Sequence, residues 1–241
     1  MIIKTQDYKE NDKLLWIFTE RLGKITAIAK GAKKSKNKLM ALSMTFSFGQ
    51  YMIFKGKNLH NLSEGRIINS FQGLLKDFEK LTYGSYLCEL IDISMPEGEV
   101  NEALFKDFVT ALYLLDTGAL DDELLIRAFE LKLLSHTGYG LNLSQCISCK
   151  KAIGVSNYIN LNYFGGVCNE CPKGNSVDIS KPAYNTLKFL MNTSLDRIYR
   201  LNISSEVKSE IGSLLSYIIS SSYSRRPKSL DLLKTFNMTK E

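Results

Sequence analysis

The spacing of hydrophobic positions changes once along this chain, near residue 70. Before it, apolar residues come in short runs separated by turn residues. Leu14-Leu15-Trp16-Ile17-Phe18 is one such run, and Gly23 to Ala29 is a second after a turn at Arg21-Leu22-Gly23. Thr45 to Phe54 is rich in aromatic and β-compatible residues, Gly56-Lys57-Asn58 turns the chain, and Leu59–Leu62 and Arg66-Ile67-Ile68 follow. Four or five short strands with turn signals between them predict a small β-barrel or sandwich. From residue 71 the period becomes helical: Phe71, Leu74, Leu75, Phe78 and Leu81 lie at i, i+3, i+4 and i+7 spacing, extended by Leu87, Leu90 and Ile91. Pro96-Glu97-Gly98 breaks that helix. A second follows from Val100 to near Gly118, and a third begins at Asp121-Asp122-Glu123, where acids suit the helix dipole, and stops before Gly138. Ser180-Lys181-Pro182 reads as a helix start. Helices are predicted at about 181–193, 205–223 and 228–236.

This pattern predicts an α+β protein. A strand module at 1–70 precedes an α-helical domain at 71–241, which a cysteine segment at 144–174 interrupts. Charge sharpens the division. The net charge is +8 over residues 1–70, −8 over 71–140 and +6 over 141–241. A basic module of this size points to a polyanionic partner. No apolar run approaches the roughly 20 residues of a membrane-spanning helix. The first residues lack a signal-peptide h-region, so a cytoplasmic location is expected. In that compartment disulfides are rare, and paired cysteines hold metal or perform redox chemistry.

Cys146, Cys149, Cys168 and Cys171 form two C-x-x-C knuckles separated by 18 residues. That is the spacing of a tetrahedral thiolate zinc site. Tyr158 to Gly166 between them can form a strand and turn that returns the second knuckle to the first. Four thiolates leave no open position for a catalytic water, so one structural zinc ion is expected. A redox dithiol or an iron–sulfur cluster fits the paired spacing less well. The fifth cysteine, Cys88, lies among apolar helix positions and reads as a core thiol.

Between Lys24 and Lys38 the chain carries Lys24, Lys30, Lys33, Lys34, Lys36 and Lys38 without an intervening acid. A run of like charge is often only solvated surface. Here it sits on a small strand module and is flanked by Trp16, Phe18, Phe46, Phe48 and Tyr51, the combination by which small barrels bind single-stranded nucleic acid. These lysines, with Arg21 and Arg66, are the candidate nucleic-acid contacts, although each flanking aromatic taken singly reads better as core. No P-loop, G-x-S-x-G or H-E-x-x-H motif occurs, and no H-x-E precedes the cysteine pairs. His136 fits a helix C-terminus. Nothing predicts a catalytic site or a nucleotide cofactor.

The order of parts and several local segments resemble the RecO family of bacterial recombination mediators. Tyr8-Lys9-Glu10-Asn11-Asp12-Lys13-Leu14-Leu15 is similar to that family's opening strand and turn. Leu22-Gly23-Lys24 and Ala29-Lys30-Gly31-Ala32-Lys33-Lys34 resemble its basic hairpin. Tyr86-Leu87-Cys88-Glu89-Leu90 and Arg127 to Leu134 followed by Gly138-Tyr139 resemble its helical signatures. Arg225-Arg226-Pro227-Lys228-Ser229 departs from the family pattern at Pro227. The resemblance implies an oligonucleotide-binding (OB) fold, a helical bundle and a zinc-ribbon-like insertion. It implies a protein of the bacterial nucleoid that binds single- and double-stranded DNA and anneals complementary strands. It further implies partnership with RecR in loading RecA onto DNA coated by single-strand-binding protein. Two other readings fit the same composition: a non-catalytic zinc-ribbon protein of RNA, transcription or translation, and a nucleic-acid-joining enzyme. The second needs a nucleotide-binding domain with a nucleophilic lysine, for which the chain has no room.

Overall fold

The computed structural model describes residues 1–57 and 59–229; the helix expected at 228–236 runs past residue 229 and so lies almost wholly outside the described residues. The chain is α+β and falls into two compact units, residues 1–117 with 227–229 and residues 118–226.

The first unit begins with five strands: β1 (Ile2–Tyr8), β2 (Asp12–Thr19), β3 (Gly23–Ala29), β4 (Phe48–Phe54) and β5 (His60–Asn69). Their order in the sheet is β1-β2-β3-β5-β4. All neighbours are antiparallel except β3 and β5, which run parallel, with Ala27 opposite His60 and Ala29 opposite Leu62. The expected barrel is not closed by a ladder. Edge strands β1 and β4 meet only through the segment before β4, where Ile2 N donates to Ser47 O at 2.9 Å and Phe46 N donates to Ile2 O at 3.0 Å. Such a partly open five-stranded barrel is the OB-type solution to the edge-strand problem. Alternation sets its interior. Leu15, Ile17, Ile25, Ala27, Ala29 and Leu62 point inward, and Leu39 and Leu42 of the short helix α1 (Leu39–Leu42) join the same core. Gly23, at φ +64° after the β2–β3 turn, brings backbone against backbone, since a Cβ there would lie 2.0 Å from Glu99 O.

Two helices complete this unit, α2 (Phe78–Ser94) and α3 (Glu102–Thr117). The helical spacing predicts a start at Phe71, but Phe71 adopts φ 45° and Leu74–Lys76 form a 3-10 turn. The helix begins where Asp77 accepts from Glu79 N and Lys80 N and so satisfies the first orphan donors. One end of the sheet's outer face is covered by α3. Phe18, fully buried, packs edge-on against Phe105 and Phe108 at 5.5 and 5.9 Å between ring centroids.

The second unit is built around α4 (Asp122–His136), with α5 (Lys181–Asn192), a 3-10 segment at Leu195–Arg200 and α6 (Ser205–Ser222). Nearly every residue from Leu124 to Leu134 is buried, as expected of a helix surrounded by others. The buried set includes an ion pair: Arg127 Nη1 donates to both carboxylate oxygens of Glu130, at 2.8 and 2.7 Å. Between α4 and α5 the cysteine segment forms a small sheet of β6 (Tyr158–Asn160), β7 (Gly165–Gly166) and β8 (Ser176–Asp178), in the order β7-β6-β8. No described helix is long and apolar enough to cross a membrane.

Candidate metal centre and nucleic-acid interface

The first cysteine knuckle is a tight turn. Lys150 N donates to Cys146 O at 3.0 Å, Cys146 N donates to Lys151 O at 2.8 Å, and Lys150 takes φ 62° to complete the bend. Ile147 N then donates to Gly166 O at 3.0 Å, which ties this knuckle to β7. Two glycines permit that approach: a Cβ on Gly165 would lie 2.4 Å from the Ile147 side chain, and one on Gly166 would lie 2.4 Å from Tyr184 Oη. β7 leads directly into Cys168, so the strand and turn expected between the knuckles are present and return the second to the first. Tyr184 on α5 donates to Leu143 O at 2.8 Å and anchors the segment to its own unit.

All four sulfurs lie within 4.8 Å of one another, a cluster that can hold a metal ion. The Cys149 and Cys168 sulfurs are 3.8 Å apart. A tetrahedral site with bonds of about 2.3 Å requires an edge of about 3.8 Å, which the Cys149–Cys168 pair matches and from which no pair departs by more than about 1 Å on the long side. Burial works to raise the Cys146 thiol, but the N–H groups of Cys168, Cys149 and Ser148 outweigh it and bring it down to about 6. Cys171, whose thiol donates to the Cys168 and Cys149 sulfurs, is pushed up to about 12. The lysines beside the knuckles are engaged locally. Lys151 pairs with Glu170 at 2.8 Å, and Lys173 lies over the Tyr158 ring at 4.6 Å.

The cationic residues of the strand module separate into groups. Strand register places the end of β1, the start of β2 and the end of β3 at one end of the sheet: Tyr8 faces Asp12 and Lys13 faces Ala29. Two connections therefore converge there, the β1–β2 turn and the β3–α1 loop. The β4–β5 loop does not join them, because β5 runs parallel to β3 and its first residue, His60, lies opposite Ala27, so the loop ahead of it leaves in the opposite direction. Hydrogen bonds fasten the β1–β2 turn to the β3–α1 loop, with Lys33 N donating to Asn11 O at 3.0 Å and Gly31 N to Asp12 Oδ1 at 2.8 Å. Asn37 closes the loop by donating to Lys30 O at 3.1 Å. Seven lysines gather at this end (Lys9, Lys13, Lys30, Lys33, Lys34, Lys36, Lys38) against three acids (Asp7, Glu10, Asp12). Lys33 spends its charge on Asp7 at 2.8 Å, which holds that carboxyl below its usual range. Lys30, Lys34, Lys36 and Lys38 are exposed and carry no ion pair among the described residues.

The other sequence candidates lie elsewhere. Lys24 is folded against α2, donating to the Asp92 carbonyl and standing 3.2 Å from Asp92 Oδ1, with both side chains largely buried. Arg21 is in the β2–β3 turn at the opposite end of the sheet, and Arg66 is exposed in mid-strand opposite Gln50. Lys9 and Lys13 join these lysines through the antiparallel β2–β3 pairing, which a local run of charge does not reveal. The flanking aromatics follow the structural reading: Phe18 and Phe46 are fully buried, and Tyr51 packs on the barrel core. Trp16 is half-buried beneath Lys4, whose ammonium sits 4.6 Å from the ring.

Comparison with known proteins covers nearly the whole chain. The family model "Recombination protein O N terminal" matches residues 1–71, and "Recombination protein O C terminal" matches residues 75–231. The DNA repair protein RecO of Clostridium perfringens is 62% identical over 234 residues, covering 97% of this chain and 95% of the relative. That of Clostridium acetobutylicum is 49% identical over 241 residues, covering 100% and 96%. The RecO of Symbiobacterium thermophilum is 32% identical over 240 residues, covering 98% and 95%. With both family models matched in order and relatives aligned along nearly their full lengths, the chain belongs to the recombination protein O (RecO) family.

Proposed function

We propose that this protein is a DNA-repair mediator that binds single- and double-stranded DNA through the lysine-bearing end of its OB-type sheet and anneals complementary strands. The observation that carries the reading is the convergence of two lysine-bearing connections at one end of the sheet, seven lysines to three acids. Phosphates recruited there release their counterions, which supplies affinity without reading sequence. Lys30, Lys34, Lys36 and Lys38 are the principal contacts, joined by Lys9. Lys24 and Arg21 take no part. Screening the phosphates of two strands at once lowers their mutual repulsion, so pairing can proceed without covalent chemistry or a nucleotide. We assign no catalytic residue.

The cysteine cluster is read as the site of one structural zinc ion held by Cys146, Cys149, Cys168 and Cys171. With all four positions taken by thiolates, it organises the 144–174 segment and performs no reaction. Family membership supports the remaining parts of the proposal: a cytoplasmic protein that works with RecR and helps RecA onto DNA covered by single-strand-binding protein. The test is annealing of complementary strands precoated with single-strand-binding protein, without nucleotide, with and without RecR. Acceleration that disappears when Lys30, Lys34, Lys36 and Lys38 are replaced by alanine supports the assignment. An equal rate with and without the protein, or a large preference for RNA over DNA of the same sequence, overturns it.

A further inference from the structure

We propose that the outer face of the sheet beside the lysine loops, which no described helix seals there, is a base-stacking platform, with Phe54 as the residue that seats bases of a single strand by their faces. The inference rests on the DNA-binding reading above and adds a strand-type specificity to it.

Alternation along the strands fixes which side chains point outward. Leu15, Ala29, Leu62 and Ile53 face the core, so Leu14, Ile28, Asn61 and Phe54 face out. Register then aligns them. Gln6 is opposite Leu14, Leu14 opposite Ile28, Ile28 opposite Asn61 and Asn61 opposite Phe54, which makes one row across all five strands. At the far end of the sheet this outer face is sealed by α3 through Phe18, Phe105 and Phe108. In this row, which crosses β3 at Ile28 just before the Lys30 loop, Phe54 is 59% exposed, and Met52, the next outward position on the same strand, is 50% exposed.

Scattered exposed apolar residues are ordinary. Two successive ones on an edge strand are a liability that proteins usually remove. Here they are followed at once by Lys55 and Lys57. The charge beside this row selects the occupant. A second copy of the chain would bring the same cationic loops against these, whereas a polyanion is attracted to them. An aromatic face beside a cationic rim matches a nucleic-acid strand whose bases are unpaired. A duplex keeps its base faces stacked inside and offers this row only phosphates. Because stacking engages faces and not edges, a seated strand keeps its pairing edges open to a complementary strand.

The experiment uses the full chain, with Phe54→Ala, Phe54→Leu and Phe54→Trp variants and a Lys34→Ala/Lys36→Ala/Lys38→Ala variant. Each is titrated against three labelled probes of equal length: a mixed-sequence single strand, a hairpin duplex and an abasic single strand. We expect Phe54→Ala and Phe54→Leu to weaken single-strand binding by about tenfold, to leave duplex and abasic binding within about twofold, and Phe54→Trp to restore it. Equal losses on all three probes, or no loss on any, overturn the platform; the second result is also what a protein-docking role for this face would give. Failure of the underlying reading looks different, because the triple lysine variant would then bind every probe as the wild type does.

Discussion

Replacing Lys24 by alanine separates a structural lysine from the DNA-contacting ones. By sequence it heads the basic run, yet its side chain is 12% exposed and its ammonium lies 3.2 Å from Asp92 Oδ1, itself 14% exposed. It also donates to the Asp92 carbonyl in the last turn of α2, where a cation complements the helix dipole. Truncation removes a charge-assisted bond and leaves a largely buried carboxylate with Lys4, 3.9 Å away, as a remaining cation. Leaving a buried polar group short of its partner costs about 1–3 kcal/mol. For a chain of this size that lowers Tm by roughly 4–8 °C at the middle of the range. Scanning calorimetry reads the loss. Fluorescence anisotropy at several salt concentrations, well below the transition, should give the wild-type salt dependence of DNA affinity. A Tm within about 2 °C of wild type, together with a flattened salt dependence, would refute the structural assignment and return Lys24 to the DNA site.

Glu130→Ala should cost about 3 kcal/mol in urea denaturation, because it removes the two-oxygen partner of a buried guanidinium and leaves the more distant Glu123 carboxylate at 3.9 Å, while a combined Arg127→Met/Glu130→Leu variant recovers most of the loss; equal stability of the single variant and wild type would contradict the pairing. Gly23→Ala should destabilise by more than about 2 kcal/mol, given a left-handed backbone and a Cβ placed 2.0 Å from Glu99 O; an unchanged denaturation midpoint would be incompatible with that approach. Chelation, or Cys146→Ser, should open residues 144–174 to limited proteolysis before the α4–α6 helices are cut, as mapped by mass spectrometry. A ribbon that stays resistant without metal would show that the ion contributes little to its folding.

Much of this architecture was legible in the chain, for reasons that differ by element. Helices α3 to α6 announce themselves by long apolar periodicity and by the caps Asp121 and Ser180. The cysteine cluster is readable because thiolate chemistry demands its spacing. β1 was not readable as a strand from its residues, since Ile2 to Tyr8 holds only two leading aliphatic residues and then turns polar, as an edge strand does. The start of α2 was hidden by a capping bond at Asp77 that hydrophobic periodicity does not encode. The largest gap concerns the lysines. Local sequence shows that Lys24 to Lys38 is cationic, but it cannot show that Lys24 meets Asp92, 68 residues away. Nor can it show that Lys9 joins the loop, because that depends on strand pairing.

If the lysine end of the sheet holds DNA phosphates, the salt dependence of single-strand affinity reports it most directly. Replacing Lys30, Lys34, Lys36 and Lys38 together by alanine should reduce the slope of log affinity against log salt by about 2.8, at roughly 0.7 per lost phosphate contact. An unchanged slope in a folded quadruple variant would place the DNA elsewhere on the molecule.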